Sequence, residues 1–261
     1  MKITHENHVK ALLKQGRKVA AAWAQAASPI TAEILGDAGF DAVMIDLEHG
    51  PGDIMMLVHQ VHALKGQPAI PFVRAPWNDF VQIKKILDAG VYGLLVPYVN
   101  TAEEARAAVR AVRYPTDGIR GVAGSPRAAH FGNNSLDYMQ RANDEIFLMT
   151  AVETPEAVGN LDEILAVDHL DGIFIGPMDL ATSMGHFGNP GHPEVQEAIA
   201  GIEQKVFASD KILATVSGSW QDAKMKYDRG YQFLLLMSDT TTLSKTARGL
   251  TAAFQEAYPE R

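Results

Sequence analysis

The chain has 261 residues, of which 47% are hydrophobic and 21% charged, with a formal charge of −8 and no cysteine. This composition excludes a disordered or fibrous chain, and the missing thiols exclude disulfides, thiolate metal sites, iron–sulfur clusters and a cysteine nucleophile. No apolar run approaches the ~20 residues of a membrane span, the polar start MKITHENHVK lacks the apolar core of a signal peptide, and no basic block invites nucleic acid.

Apolar, partly β-branched runs at residues 19–23, 42–47, 70–73, 93–96, 147–152, 172–175, 212–216 and 233–237 read as strands. Continuous runs of this kind suit a parallel sheet covered on both faces. Helical periods fill the gaps. Gly90 follows KKILDA at the position of a helix-ending glycine. Thr101 with Glu104 forms a capping box, and Ala102, Ala105, Val109 and Val112 share one face. In TPEAVGNLDEIL, Thr154 is an N-cap, Pro155 a first helical residue, and Ala157, Val158, Leu161, Ile164 and Leu165 the stripe. In PEVQEAIAGIEQKVF the stripe is Val195, Ala198, Ile199, Ile202 and Val206. Eight strand–helix units in about 250 residues match a (β/α)8 TIM barrel, here one domain over residues 1–261. An open doubly wound sheet is the alternative, but no G-x-G-x-x-G follows the first strand. Two connections, residues 113–145 and 176–193, are long, and long loops on a barrel are usual places for substrate contacts.

A barrel keeps its active site at the C-terminal ends of its strands. Those ends carry Trp23; Asp46, Glu48 and His49; Arg74; Pro97; Glu153; Gly176, Pro177 and Asp179; Ser217 and Gly218; and Ser238 and Asp239. The strand starts carry Lys18, Asp41, Asp171 and Lys211, which belong on the opposite face. Glu153 and Asp179 follow consecutive strands. As a convergent pair they suit a hard cation such as Mg²⁺ or Mn²⁺. A glycosidase-type acid/base pair is the other reading, and the single strand-end aromatic Trp23 speaks against it. Arg74 offers a fork for a carboxylate, phosphate or enolate oxygen. His49, three residues after Asp46, is placed for proton transfer. His59 and His62 fall on the next helix and read as surface or packing residues. No lysine sits at a strand end, which removes Schiff-base chemistry and leaves carbanion stabilisation to a metal. SGSW and SDTT offer small residues that suit an anion.

MIDLEHGP, LLVPYVNTAEEARAAVRAVRYPTDGIRG and GIFIGPMDLATSMGHFGNPGHPEV resemble the HpcH/HpaI family of class II pyruvate aldolases, with a likeness running from about Trp23 to Asp239. The resemblance implies a barrel assembled as a homo-hexamer with exchanged C-terminal helices, and a divalent metal, Mg²⁺, Mn²⁺ or Co²⁺. It implies Glu153 and Asp179 as metal ligands, Arg74 as the enolate-steadying arginine, and His49 as the base-relay histidine with Asp46 beside it. It also matches Asp88, in LDAG, to an aspartate supporting the histidine. Asp88 lies near a helix end, so that role needs a neighbouring subunit. Trp23, Gly176 and Pro177 are expected to line the substrate; Met178 is given no role. The chain departs from the family at Ala151 (often Gln), Ala181 (often Ser), and His130 and Phe131 in RAAHFG. Those positions bear on the acceptor, not on the metal or Arg74.

The expectation is a cytoplasmic lyase that reversibly cleaves 4-hydroxy-2-oxo acids to pyruvate, or an analogue such as hydroxypyruvate, and an aldehyde through a metal-stabilised enolate. A related metal-dependent lyase or oxaloacetate decarboxylase is the alternative. A non-catalytic scaffold is disfavoured because Glu153, Asp179 and Arg74 are all present. The Leu243, Leu250 and Phe254 side chains near the C-terminus suit helix exchange or simple docking equally.

Overall fold

In the computed structural model, which describes residues 6–260, eight parallel strands close into a barrel. They are β1 (Val19–Ala24), β2 (Ala42–Asp46), β3 (Ile70–Arg74), β4 (Gly93–Val96), β5 (Phe147–Val152), β6 (Gly172–Ile175), β7 (Ile212–Val216) and β8 (Phe233–Ser238). Each pairs with the next, and β8 pairs with β1, so the open sheet is excluded. The polar start of the chain lies partly outside the described residues. Among the described residues no helix is long and apolar enough to cross a membrane.

Side chains alternate across each strand, and the two faces build two cores. Inward residues such as Ala21, Trp23, Met44, Phe72, Met149, Phe174 and Phe233 fill the barrel. Outward residues such as Val43, Ile45, Val73, Leu94, Leu148, Ile173 and Leu234 meet the helices. Helix α1 (His8–Lys14) closes the N-terminal end by adding Val9 and Leu13 to the inner core. The strand-start charges lie at that end: Asp171 pairs with Lys10 at 2.9 Å, and Asp41 accepts the Ala20 N–H at 2.8 Å.

The outer helices follow in order: α2 (Pro29–Asp37), α3 (Ile54–Ala63), α4 (Phe80–Asp88), α5 (Ala102–Val112), α6 (Ser135–Glu145), α7 (Pro155–Gly159), α8 (Leu161–Leu165), α9 (Pro177–Ser183), α10 (Pro193–Phe207), α11 (Trp220–Arg229) and α12 (Asp239–Ala257). The Thr101–Glu104 capping box opens α5, and Gly90 takes φ +90° just past α4. His59 and His62 are exposed on α3. TPEAVGNLDEIL is two short helices rather than one. The break falls at Asn160, whose side-chain amide donates to the Asn100 carbonyl at 2.9 Å.

One of the two long connections differs from expectation. Residues 113–145 form a 3₁₀ turn (Arg127–Gly132) and α6, packed on Tyr114, Ala128, Ala129, Tyr138 and Ala142. Glu145 accepts the backbone N–H of Asn7, the N-cap of α1, at 2.6 Å. This connection therefore lies at the N-terminal end of the barrel, because it leads from a returning helix into β5. None of its residues lines the cavity at the strand C-termini of its own chain. Residues 176–193 do start at those termini and contain α9. Helix α12 leaves the barrel with no buried residue. Leu243, Ala247, Leu250 and Phe254 form one helical stripe, and Leu243 and Leu250 are 71% and 70% exposed.

Gly93 is where the inner core is tightest. A Cβ there would meet the Phe72 ring at 2.3–2.5 Å, and that ring stacks on Phe233 at 5.6 Å. Gly93→Ala is expected to destabilise the protein by about 1–3 kcal/mol in denaturant titration. Phe72→Leu on the Gly93→Ala background should recover part of the loss; a neutral Gly93→Ala would contradict this packing.

Candidate active site

Strand register brings Trp23, Asp46 and Arg74 to one rim. Asp46 and Arg74 are direct neighbours across β2 and β3, both at inward positions. The Arg74 guanidinium donates to Asp46 through Nε (3.0 Å to Oδ1) and Nη2 (2.6 Å to Oδ2). Its Nη1 lies 3.0 Å from Glu48 Oε2, and its face sits 4.5 Å from the Trp23 ring centroid. Burial opposes ionisation of Asp46, but the Arg74 bonds and charge, with a Gln25 amide at 2.9 Å, hold its carboxyl below the usual range.

Glu153 follows β5 and is buried. Its Oε1 accepts the backbone N–H of Tyr98 at 2.7 Å. Tyr98 takes φ +53°, a left-handed conformation rare outside glycine, and that turn belongs to the backbone just past β4 that presents the N–H. Burial, only partly relieved by this bond, and repulsion from Asp179 and Glu48 push the Glu153 carboxyl up to about 7. Burial likewise raises Glu48, against the attraction of Arg74. Asp179 stands in the first turn of α9 and accepts no hydrogen bond among the described residues.

Trp23, Gln25, Arg74, Glu153, Gly176, Pro177 and Asp179 line one cavity of about 540 Å³, closed on its far side by the ends of β7 and β8 and the start of α12. Ser217, Gly218 and Ser238 also reach it. Ser238 and Ser219, however, cap α12 and α11, and Asp239 is spent on the backbone of Gln25 and Ala26. The one lysine on this wall, Lys245, comes from α12 and not from a strand.

His49 is not on this wall. Its side chain is 63% exposed, with Nε2 4.0 Å from Glu48 Oε2. Asp46 touches His49 only through the backbone, accepting its N–H at 3.2 Å, because its carboxylate is taken up by Arg74 and Gln25. Asp88 ends α4 and pairs with buried Arg120 at 3.0 Å, so it lies with the N-terminal end of the barrel. His130 and Phe131 line a separate cavity of about 270 Å³ with Tyr92 and Arg127. Ala151 packs in the inner core and Ala181 in the outer one.

Three contributors are given no role by a strand-end reading of side chains. Gln25 lies one residue past β1 on the inward parity of Val19, Ala21 and Trp23, a signal that was available. It bridges Asp46 and Ser238, accepting the Ser238 hydroxyl at 2.7 Å. Glu48 stands at a strand end without an assigned task. Tyr98 acts through its backbone, which no side-chain pattern reveals.

The family described as HpcH/HpaI aldolase/citrate lyase matches residues 20–246. The chain is 45% identical over 249 residues to a 4-hydroxy-2-oxo-heptane-1,7-dioate aldolase of Escherichia coli, covering 95% of each chain. It is also 45% identical over 248 residues to one of Klebsiella pneumoniae, covering 95% of this chain and 94% of the relative. Among solved structures, an HpcH/HpaI aldolase/citrate lyase family protein from Burkholderia cenocepacia superposes with a TM-score of 0.90 at 33% identity, over 96% of this chain and 99% of that one. The citrate synthase SbnG gives 0.86 at 27% identity, over 96% and 98%. With nearly the whole chain matched and the same barrel recovered, the protein belongs to the HpcH/HpaI aldolase/citrate lyase family.

Proposed function

We propose that the chain is a metal-dependent aldolase that reversibly cleaves 4-hydroxy-2-oxo acids to pyruvate and an aldehyde. The observation that carries this reading is one cavity joining the carboxylates of Glu153 and Asp179 to a clamped Arg74 guanidinium. The E. coli and Klebsiella relatives, by their names, act on such an acid.

The residues present fit a hard divalent cation, Mg²⁺, Mn²⁺ or Co²⁺. Two carboxylates face the cavity, its lining contains no imidazole, and Glu153 is buried with no ion pair among the described residues, Arg74 acting on it only at longer range. A Cβ on Gly176 would stand 2.5 Å from Glu153 Oε2, so glycine leaves that oxygen uncovered. Glu153 and Asp179 would hold the cation, which supplies Lewis-acid polarisation of the keto group when bound.

The chain's own groups account for the rest. Arg74 has five N–H donors. Three are engaged by Asp46 and Glu48, which leaves two for an oxygen of the oxo acid as it takes up enolate charge. Trp23 beneath the guanidinium fixes its plane. The C3–C4 bond breaks as the 4-hydroxyl gives up its proton, the aldehyde leaves, and the electron pair passes to the enolate. We assign that proton to His49, acting through water beside Glu48. Protonation at C3 then yields pyruvate.

The stripe on α12 supports a homo-oligomer, proposed here as a hexamer in which this helix packs on a second copy. Asp88 would meet a site only in that arrangement.

The reading is tested directly by stripping the protein with EDTA and following pyruvate release from a 4-hydroxy-2-oxo diacid. Activity should vanish and return with Mg²⁺ or Mn²⁺; full activity without metal would overturn the mechanism. Arg74→Ala should lower kcat by about 10²–10³, as for loss of one oxyanion donor, while Arg74→Lys recovers little, since it restores charge without the fork. A loss below tenfold would remove Arg74 from the charge-stabilising role.

Glu153 links the site to stability. Its folded value of about 7 exceeds the 4.5 of an ordinary glutamate. The stability it confers is therefore full below pH 4.5 and is lost as pH rises through 7. In metal-free protein at pH 8, Glu153→Gln should be more stable than the parent by on the order of 2 kcal/mol, with no such gain at pH 4.5. Mg²⁺ should raise the Tm of the parent and not of the variant. Equal pH profiles for the two proteins would contradict the buried uncompensated carboxylate. For the oligomer, Leu250→Asp with Phe254→Asp should shift the sedimentation mass towards one chain; a monomeric parent would end that proposal.

A further inference from the structure

We propose that His186, His192 and Glu194 form a second cation site, for a late first-row divalent ion of the Zn²⁺ type, outside the barrel mouth and independent of the aldolase reading. The three side chains each bring a ligand atom within 4.8 Å of the others. His186 Nε2 lies 2.8 Å from Glu194 Oε2, and the two imidazole rings stack with centroids 3.5 Å apart and planes 13° from parallel. None of the three lines the cavity that holds Glu153 and Asp179.

The backbone builds this arrangement. The His186 N–H donates to the Ala181 carbonyl at 2.8 Å, closing the end of α9. Successive turns, Asn189 N–H to His186 O at 3.0 Å and His192 N–H to Asn189 O at 3.1 Å, fold the chain back so that the second histidine lies over the first. His192 is the N-cap of α10, and Glu194 stands in its first turn. The Nδ1 of His192 accepts the Glu194 N–H at 3.3 Å, a long bond that ligation gives up in either mode: Nδ1 takes the ion in place of the N–H, or Nε2 takes it once the ring proton has moved to Nδ1. Both histidines are half-buried and Glu194 is exposed, so an ion can enter and keep water in its remaining positions.

Donor chemistry separates the two sites. Two imidazoles with one carboxylate and room for water is a zinc-type ligand set. Two carboxylates with no imidazole suit a harder ion. An ion at the histidine site would tie the end of α9 to the start of α10, bracing the segment that carries Asp179.

The test is calorimetric titration of the whole protein with Zn²⁺ in saturating Mg²⁺, which fills the oxygen site. One Zn²⁺ per chain should bind, and the Tm should rise. His186→Ala with His192→Ala, and separately Glu194→Gln, should weaken binding at least tenfold and abolish the Tm rise while leaving Mg²⁺-supported activity unchanged. Asp179→Asn should leave Zn²⁺ affinity unchanged. Glu194→Gln keeps the loop histidines, so it decides the matter if the double variant misfolds. Absence of Zn²⁺ binding, equal binding in the variants, or binding lost with Asp179→Asn would each overturn the proposal.

Discussion

The guanidinium of Arg74 is held on three sides, by Asp46 along one edge, Glu48 at the tip and Trp23 beneath. A charge this enclosed is tolerable only when paired with good geometry. Asp46 supplies the pairing with a side chain that has no exposure of its own. Gln25 and the backbone of Glu48 and His49 satisfy its remaining capacity. The result is a rigid cation whose orientation is set before any substrate arrives. Across the cavity the situation is reversed. Glu153 is buried with a single backbone donor and a like-charged neighbour in Asp179. One wall is electrostatically satisfied and the other is not, and that asymmetry supports the second wall as the proposed cation site.

The period of two in each strand produces this arrangement. Val19, Ala21, Trp23 and then Gln25 share one parity. So do Met44 and Asp46, Phe72 and Arg74, and Met149, Ala151 and Glu153. Below the rim these positions are apolar and fill the barrel; at the rim they turn polar. The floor is fixed by the Phe72, Phe147 and Phe233 rings, which fit because Gly93 has no side chain. Trp23 meets Phe174 edge-on at 6.3 Å, which seats its ring against the face of Arg74.

Much of this was legible in the sequence. Both-face burial makes each barrel strand a continuous apolar run, so β4 to β7 stand where the runs stood. The strand-end rule then collected Arg74, Glu153 and Asp179 into one cavity. What it missed has definite causes. Tyr98 contributes a main-chain N–H, and Gln25 needed inward parity to be carried one residue beyond the strand. Helix α7 ends at Asn160, whose side chain is anchored outside the helix on the Asn100 carbonyl, and no residue pattern announces that anchor. Length alone points to the connection over residues 113–145 as a place for substrate contacts, whereas a segment entering a strand must lie at the barrel's N-terminal end. The His186–His192–Glu194 cluster is made by turns between helices, where neither strand parity nor helical period applies.

His49 and Asp88 give the last step. One chain holds them at opposite ends: His49 on the turn after β2, and Asp88 at the end of α4, fixed by Arg120. Arg120 is fully buried, lies over the rings of Tyr114 and Tyr138, and donates to the Tyr138 hydroxyl at 2.9 Å. That is an elaborate seat for a carboxylate that remains 25% exposed. Within one chain the geometry separates the imidazole from this acid, and Asp46, which stands nearest in sequence, has no carboxylate capacity left for it. If His49 is oriented by an acid other than neighbouring Glu48, that acid must come from a second copy. The apolar stripe that α12 leaves uncovered is consistent with such a copy. A pairing of His49 with Asp88 therefore requires a second copy, whereas an interface built on the α12 stripe does not require that pairing.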